Sequence, residues 1–138
     1  MAIPHNKTVQ EALDVLAVIV DGLSGIRQAF EEPPDQLVVF PAALMYAGGG
    51  REEYSKPILG QHTLICEIHY SRKDMTRAVQ ALMPYIDLMM EALWTNWQLS
   101  GAVTEVRAID YAMEWDRTYN SVETVALVFS IEVNSHRG

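Results

Sequence analysis

Residues 71–97 read "SRKDMTRAVQALMPYIDLMMEALWTNW", and the periodicity of this stretch decides the fold. It holds four of the seven methionines (Met75, Met83, Met89, Met90), two of the three tryptophans and a central proline. At 100° per residue, Met75, Val79, Leu82, Ile86, Met89, Leu93 and Trp97 fall within a stripe about 80° wide. That pattern predicts one long helix facing a core. Ala78, Ala81, Tyr85, Leu88 and Ala92 form a flank of mostly small residues beside the stripe, suited to close approach by another helix. Thr76, Arg77, Gln80, Pro84, Asp87, Glu91 and Thr95 take the opposite side. Pro84 therefore bends the helix on its polar face, convex toward solvent. So polar a side excludes a membrane span, which needs about twenty mostly apolar residues. Asp74 stands where an N-cap or first-turn acid is expected. Met83, Met90 and Trp94 lie beyond one edge of the stripe. The apolar arc thus exceeds what a two-layer monomer buries, which predicts a second contact with another helix or another subunit.

Working outward, "QHTLICEIHY" (61–70) alternates. His62, Leu64, Cys66, Ile68 and Tyr70 face one way, and Thr63, Ile65, Glu67 and His69 the other, as in a strand. "QLVVFPAALMYA" predicts a strand near 37–46, where Pro41 implies an edge position or a bulge. Between them "GGGREEYSKPILG" (48–60) has glycines, four charges and no period, and reads as a long loop. "GAVTEVRAIDYAMEW" and "NSVETVALVFSIEV" predict two further strands, turned at "DRTYN" into a hairpin. Val125, Leu127, Phe129, Ile131 and Val133 form one apolar face of the second. Near the start, Thr8 with Glu11 matches a capping box, and Val9, Leu13, Leu16, Val20 and Leu23 give a helical stripe. Glu11, Asp14 and Asp21 lie opposite, and Ser24-Gly25 ends the helix. "GIRQAFEEPPD" (25–35) reads as a short strand or extended piece, stopped by Pro33-Pro34. With no repeat or linker, residues 1–138 form a single α+β domain. The expected architecture is a two-layer sandwich, with a mixed or mostly antiparallel sheet of four to five strands packed by two helices.

The composition has the balance of a soluble globular chain: 138 residues, 49% apolar and 20% charged. The net charge of −8 argues against gripping nucleic acid, since phosphate contacts need clustered Lys and Arg. The only basic cluster, Arg72, Lys73 and Arg77, reads as a solvated helix start. "MAIPHNKTVQ" lacks the features of a signal peptide, and the lone Cys66 suits a reducing interior. His62, Cys66 and His69 suggest metal ligands, but His69 points away from the other two on a strand, so no metal site is expected. The same geometry weakens a Cys–His nucleophile pair. "AGGGREEYSKP" lacks the spacing of a phosphate-binding loop, and Glu31-Glu32 and Glu52-Glu53 read as solvated charge. Trp97 belongs to the apolar stripe, so core or interface packing is expected for it, while Trp94 and Trp115 are less determined. No catalytic motif and no cofactor are expected.

Laid out in this order, the chain resembles the tail terminator (tail completion, or minor tail) proteins of long-tailed bacteriophages. The resemblance is carried by "FPAALMYA" (40–47), "CEIHYSRKDMTRAVQALMPYIDLMMEALWTN" (66–96) and "LSGAVTEVRAIDYAMEW" (99–115), and the order of elements is similar over nearly the whole chain. Phe40 stands where many relatives have a leucine, and the charged loop is longer than in some. The resemblance implies a virion protein, assembled in the host cytoplasm and placed at the head-proximal end of the tail. It implies a homo-hexameric ring that caps the tail tube, stops its polymerisation and meets the head–tail connector or stopper. DNA would pass through the lumen without specific binding, and no membrane would be involved. Arg51, Glu52, Glu53, Tyr54 and Lys56 are the candidate contact with tube or connector, on the length, charge and aperiodicity of their loop. Met83, Met90 and Trp94 are the candidate subunit interface. Another neck or head-closure component is the nearest alternative, and a small-molecule-binding α+β domain is the alternative from a different class.

Overall fold

The computed structural model describes residues 8–31, 34–35, 37, 39–54, 58–119 and 121–137. Helix α1 (Thr8–Asp21) leads into a short strand β1 (Gln28–Phe30), followed by the long strands β2 (Ala42–Glu53) and β3 (Ile58–Ser71). Helices α2 (Met75–Leu82) and α3 (Pro84–Thr95) come next, then a 3-10 turn (Leu99–Gly101) and strands β4 (Glu105–Tyr119) and β5 (Val122–Arg137). The strands form one sheet in the order β1-β2-β3-β5-β4, with β1 parallel to β2 and every other pair antiparallel. A mixed sheet with helices packed on one side is the α+β sandwich expected from the sequence.

Hydrophobic alternation sets the two faces. Ala43 and Met45 of β2, Leu64, Cys66 and Ile68 of β3, and Val125 to Val133 at alternate positions of β5 point toward the helices. There they meet Ala12, Leu16, Ala17 and Val20 of α1, and Ala78, Leu82, Tyr85, Met89 and Leu93 of α2 and α3. The opposite face carries a smaller core of Leu37, Ala42 and Leu44, flanked by Phe30, Phe40, Tyr46 and Tyr119. Helix α1 lies over β1 and β2, α2 lies over β3 and β5, and α3 touches β4 only lightly.

Several expectations are corrected. The long helix is two helices that meet at Met83, with Pro84 exposed at the first position of α3. Proline is favoured at that position because its missing N–H is an orphan there anyway. The buried line is Ala78, Leu82, Tyr85, Met89 and Leu93, so the contact is rotated toward the small flank. Met75 and Trp97, at the two ends of the predicted stripe, are exposed. The second strand begins at Ala42 rather than 37, and Pro41, in a cis bond to Phe40, precedes it instead of occupying an edge or bulge. Residues 48–53 and 58–60, expected in a loop, are strand. Arg51, Glu52 and Glu53 lie in β2 and pair with Gln61, Gly60 and Leu59, which pair in turn with Asn134, Ser135 and His136 of β5, making a three-stranded arm of the sheet. The expected hairpin of the last two strands is present, but it turns later than expected, since Arg117, Thr118 and Tyr119 of "DRTYN" belong to β4 and Tyr119 pairs with Val122. The Thr8 side chain and Lys56 lie outside what is described, so the capping box and that charge stay expectations.

Candidate functional site

Helix α3 stops short of covering β4, and an apolar groove of about 690 Å³ opens between them. Met90, Leu93, Trp94 and Trp97 form one wall, and Val106, Arg107, Ala108 and Ile109 the other. The chain arrives here through a tight return. Asn96 N donates to Ala92 O to close α3, and Val106 N donates to Trp97 O at 2.7 Å, which pins Trp97 beside the start of β4. Trp94 is 84% exposed and Trp97 51%. Of the residues singled out for a subunit contact, Met90 and Trp94 share this groove, whereas Met83 stands apart at the junction of α2 and α3, 55% exposed. Trp97, expected to pack in the core or at an interface, follows the end of α3 and lines the groove.

The residues proposed for the axial contact lie along the arm. Arg51 and Glu53 pair at 3.4 Å on its surface, and Tyr54 at its end is 81% exposed. Glycines shape the arm. A Cβ on Gly48 would lie 2.7 Å from Ile65 Cγ1, and one on Gly50 would overlap the His62 ring, so β3 side chains lie across the β2 backbone. Near the base of the arm, His62 Nε2 stands 3.6 Å from Glu52 Oε1 on the helix side, away from His69, as the alternation of the strand requires.

Sequence reasoning missed a buried polar cluster on the other face. Glu67 Oε1 accepts from Arg117 at 2.8 Å and lies 2.9 Å from His69 Nε2, while its other oxygen accepts from the Tyr46 hydroxyl. His69 Nδ1 lies 2.8 Å from Thr124 Oγ1, and Tyr119 packs its edge against the His69 ring. Four strands are thereby tied through one carboxylate. Burial pushes the Glu67 carboxyl up, but the hydrogen bonds from His69 and Tyr46 and the Arg117 charge outweigh it and hold it at about 2. Tyr46 moves the other way, to about 12, through burial and then its bond to that carboxylate. Burial likewise pushes the Cys66 thiol up, which leaves it inert. The order Thr124–His69–Glu67 mimics a nucleophile–base–carboxylate relay. His69 and Thr124 have no exposed surface, however, so no substrate atom reaches them, and the cluster acts as a clamp. The available signal was the pair Glu67 and His69, two apart on one face of a strand whose other face carries Leu64, Cys66 and Ile68 beside them.

Among the described residues, no group of three or more His, Cys, Asp or Glu could hold a metal ion, and no helix is long and apolar enough to cross a membrane. The chain matches no protein-family model and no curated protein sequence.

Proposed function

We propose that this chain is a tail terminator of a long-tailed bacteriophage, forming a ring that caps the tail tube, halts its growth and offers a docking surface to the head-side connector. The observation that carries this reading is the groove beside β4. A monomer leaves Trp94 and Trp97 in water there, at the open edge of a sheet, whereas a closed ring with a heterologous interface covers such a surface in every copy. The resemblance supplies the hexamer and the partners, and the α+β fold accords with it. The end of the arm, where Tyr54 is exposed, is the element for contact along the ring axis, to tube or connector. The net charge of −8 suits a lumen that lets DNA pass without holding it. The reading entails no catalytic step, cofactor or membrane.

The test is to add purified protein to growing tail tubes and image them by negative-stain electron microscopy. The expected result is a ring on one end of each tube and an arrest of elongation. Tubes that keep growing with bare ends would exclude a terminator. Binding only to the portal-side complex, with tube growth untouched, would point to another neck component.

A further inference from the structure

The sheet has two open edges. Among the described residues, β4 pairs only with β5, and β1 covers β2 only at Ala42, Ala43 and Leu44. The outer edge of β2 is therefore open from Met45 to Glu53. Open edges present unpaired N–H and C=O groups that template a further strand. These two edges differ in character. The β4 edge stands beside the groove, with Tyr111 exposed on the helix side and Trp94 beyond it. The β2 edge runs through Ala47, Gly48, Gly49 and Gly50, which are exposed and bring no bulk to its surface.

We propose that the open edge of β2 from a second copy pairs with the open edge of β4, so that its backbone closes the groove and the sheet runs on from one subunit to the next. This rests on the ring reading and specifies its joint. Three observations select this occupant. First, the strands β2, β3, β5 and β4 alternate in direction, so β2 and β4 run opposite ways. A rotation about an axis along the strands keeps directions, and the new pair is then antiparallel, like its neighbours within the subunit. Second, β4 is regular between its two bulges, from Ala108 to Glu114, and β2 is regular from Gly49, past its own bulge, to Glu53, which matches five of those positions. Third, one register satisfies both faces. With Arg51 opposite Asp110, these exposed, opposite charges share the face away from the helices, and Tyr111 falls opposite Gly50 on the helix side. The His62 ring already lies over that glycine, so the Tyr111 ring is set beside the imidazole. A strand edge together with two tryptophans also approaches the roughly 800 Å² per partner that a stable interface buries.

The experiment uses the full chain carrying Arg51→Cys, Asp110→Cys or both, assembled and then oxidised. The buried Cys66 does not compete. The doubly substituted chain is expected to give a ladder of disulfide-linked oligomers on a non-reducing gel, and an equal mixture of the two single variants a linked dimer and nothing larger. Arg51→Asp is expected to raise the midpoint concentration for assembly about tenfold, with Asp110→Arg in the same chain restoring it. Assembly by mass without any cross-link between 51 and 110, and without rescue by the swap, overturns this joint and leaves the ring intact. A chain that stays monomeric at every concentration and on tubes overturns the ring itself. Shielding of Trp94 fluorescence only when another virion protein is added assigns the groove to that partner and overturns the second-copy occupant.

Discussion

Glu67 shows how far one side chain can bind a sheet together. Its carboxylate collects Tyr46 from β2, His69 from its own strand and Arg117 from β4, and Thr124 of β5 joins through His69. Removing the charge while keeping the shape leaves Arg117 without its buried partner. Glu67→Gln is therefore expected to lower the unfolding free energy by about 2–4 kcal/mol at neutral pH, read from urea denaturation. The sign of the pH dependence follows from the carboxyl being held at about 2, below its ordinary 4.5. Its contribution is complete above the ordinary value and fades as the pH falls toward 2. The gap between parent and variant should therefore shrink over that window and stay flat above it. This cluster was only half legible in advance. The alternation placed Glu67 and His69 on one face, but their burial depends on Thr124 and Arg117, more than forty positions away along the chain.

Among helices and strands, type was easier to read than extent. Asp74 was expected at an N-cap or in the first turn, and its carboxylate accepts from Arg77 N at 3.1 Å at the start of α2. Asp74→Ala should cost about 1 kcal/mol in thermal or urea unfolding, with the assembly surface untouched. A parent-like stability would mean that water caps the helix as well as the aspartate does. Local chemistry of this kind is written within four residues, so it can be read directly. The arm was misread for the converse reason. Gly48 to Gly50 carry the punctuation of a loop, yet Ile65 and His62 of β3 lie over Gly48 and Gly50, and the ladder continues to Glu53. Pro84 likewise marked a bend, but whether the helix bends or restarts depends on what α2 and α3 each pack against.

For the assembled particle, charge and edges govern the expected behaviour. A ring of chains each carrying −8 should not retard duplex DNA in a gel-shift experiment at physiological salt, even at roughly 100 µM protein. A clear shift would require a basic lumen that this composition cannot supply by itself. The apolar excess near Trp94 was visible as a helix with too wide an apolar arc, and the groove is where that excess lies. Its second wall, from Val106 to Ile109, was not visible, because nothing local says which strand will stand beside α3. Periodicity, caps and net charge are properties of neighbouring residues and of the sum over the chain. They sufficed to specify an α+β sandwich, the order of its main elements and the apolar faces of β3 and β5. Strand order, register, the rotation of α3 and the edges left open arise from contacts between distant segments. They were settled only when the chain closed on itself, because pairing energy depends on partners that no short window of sequence contains.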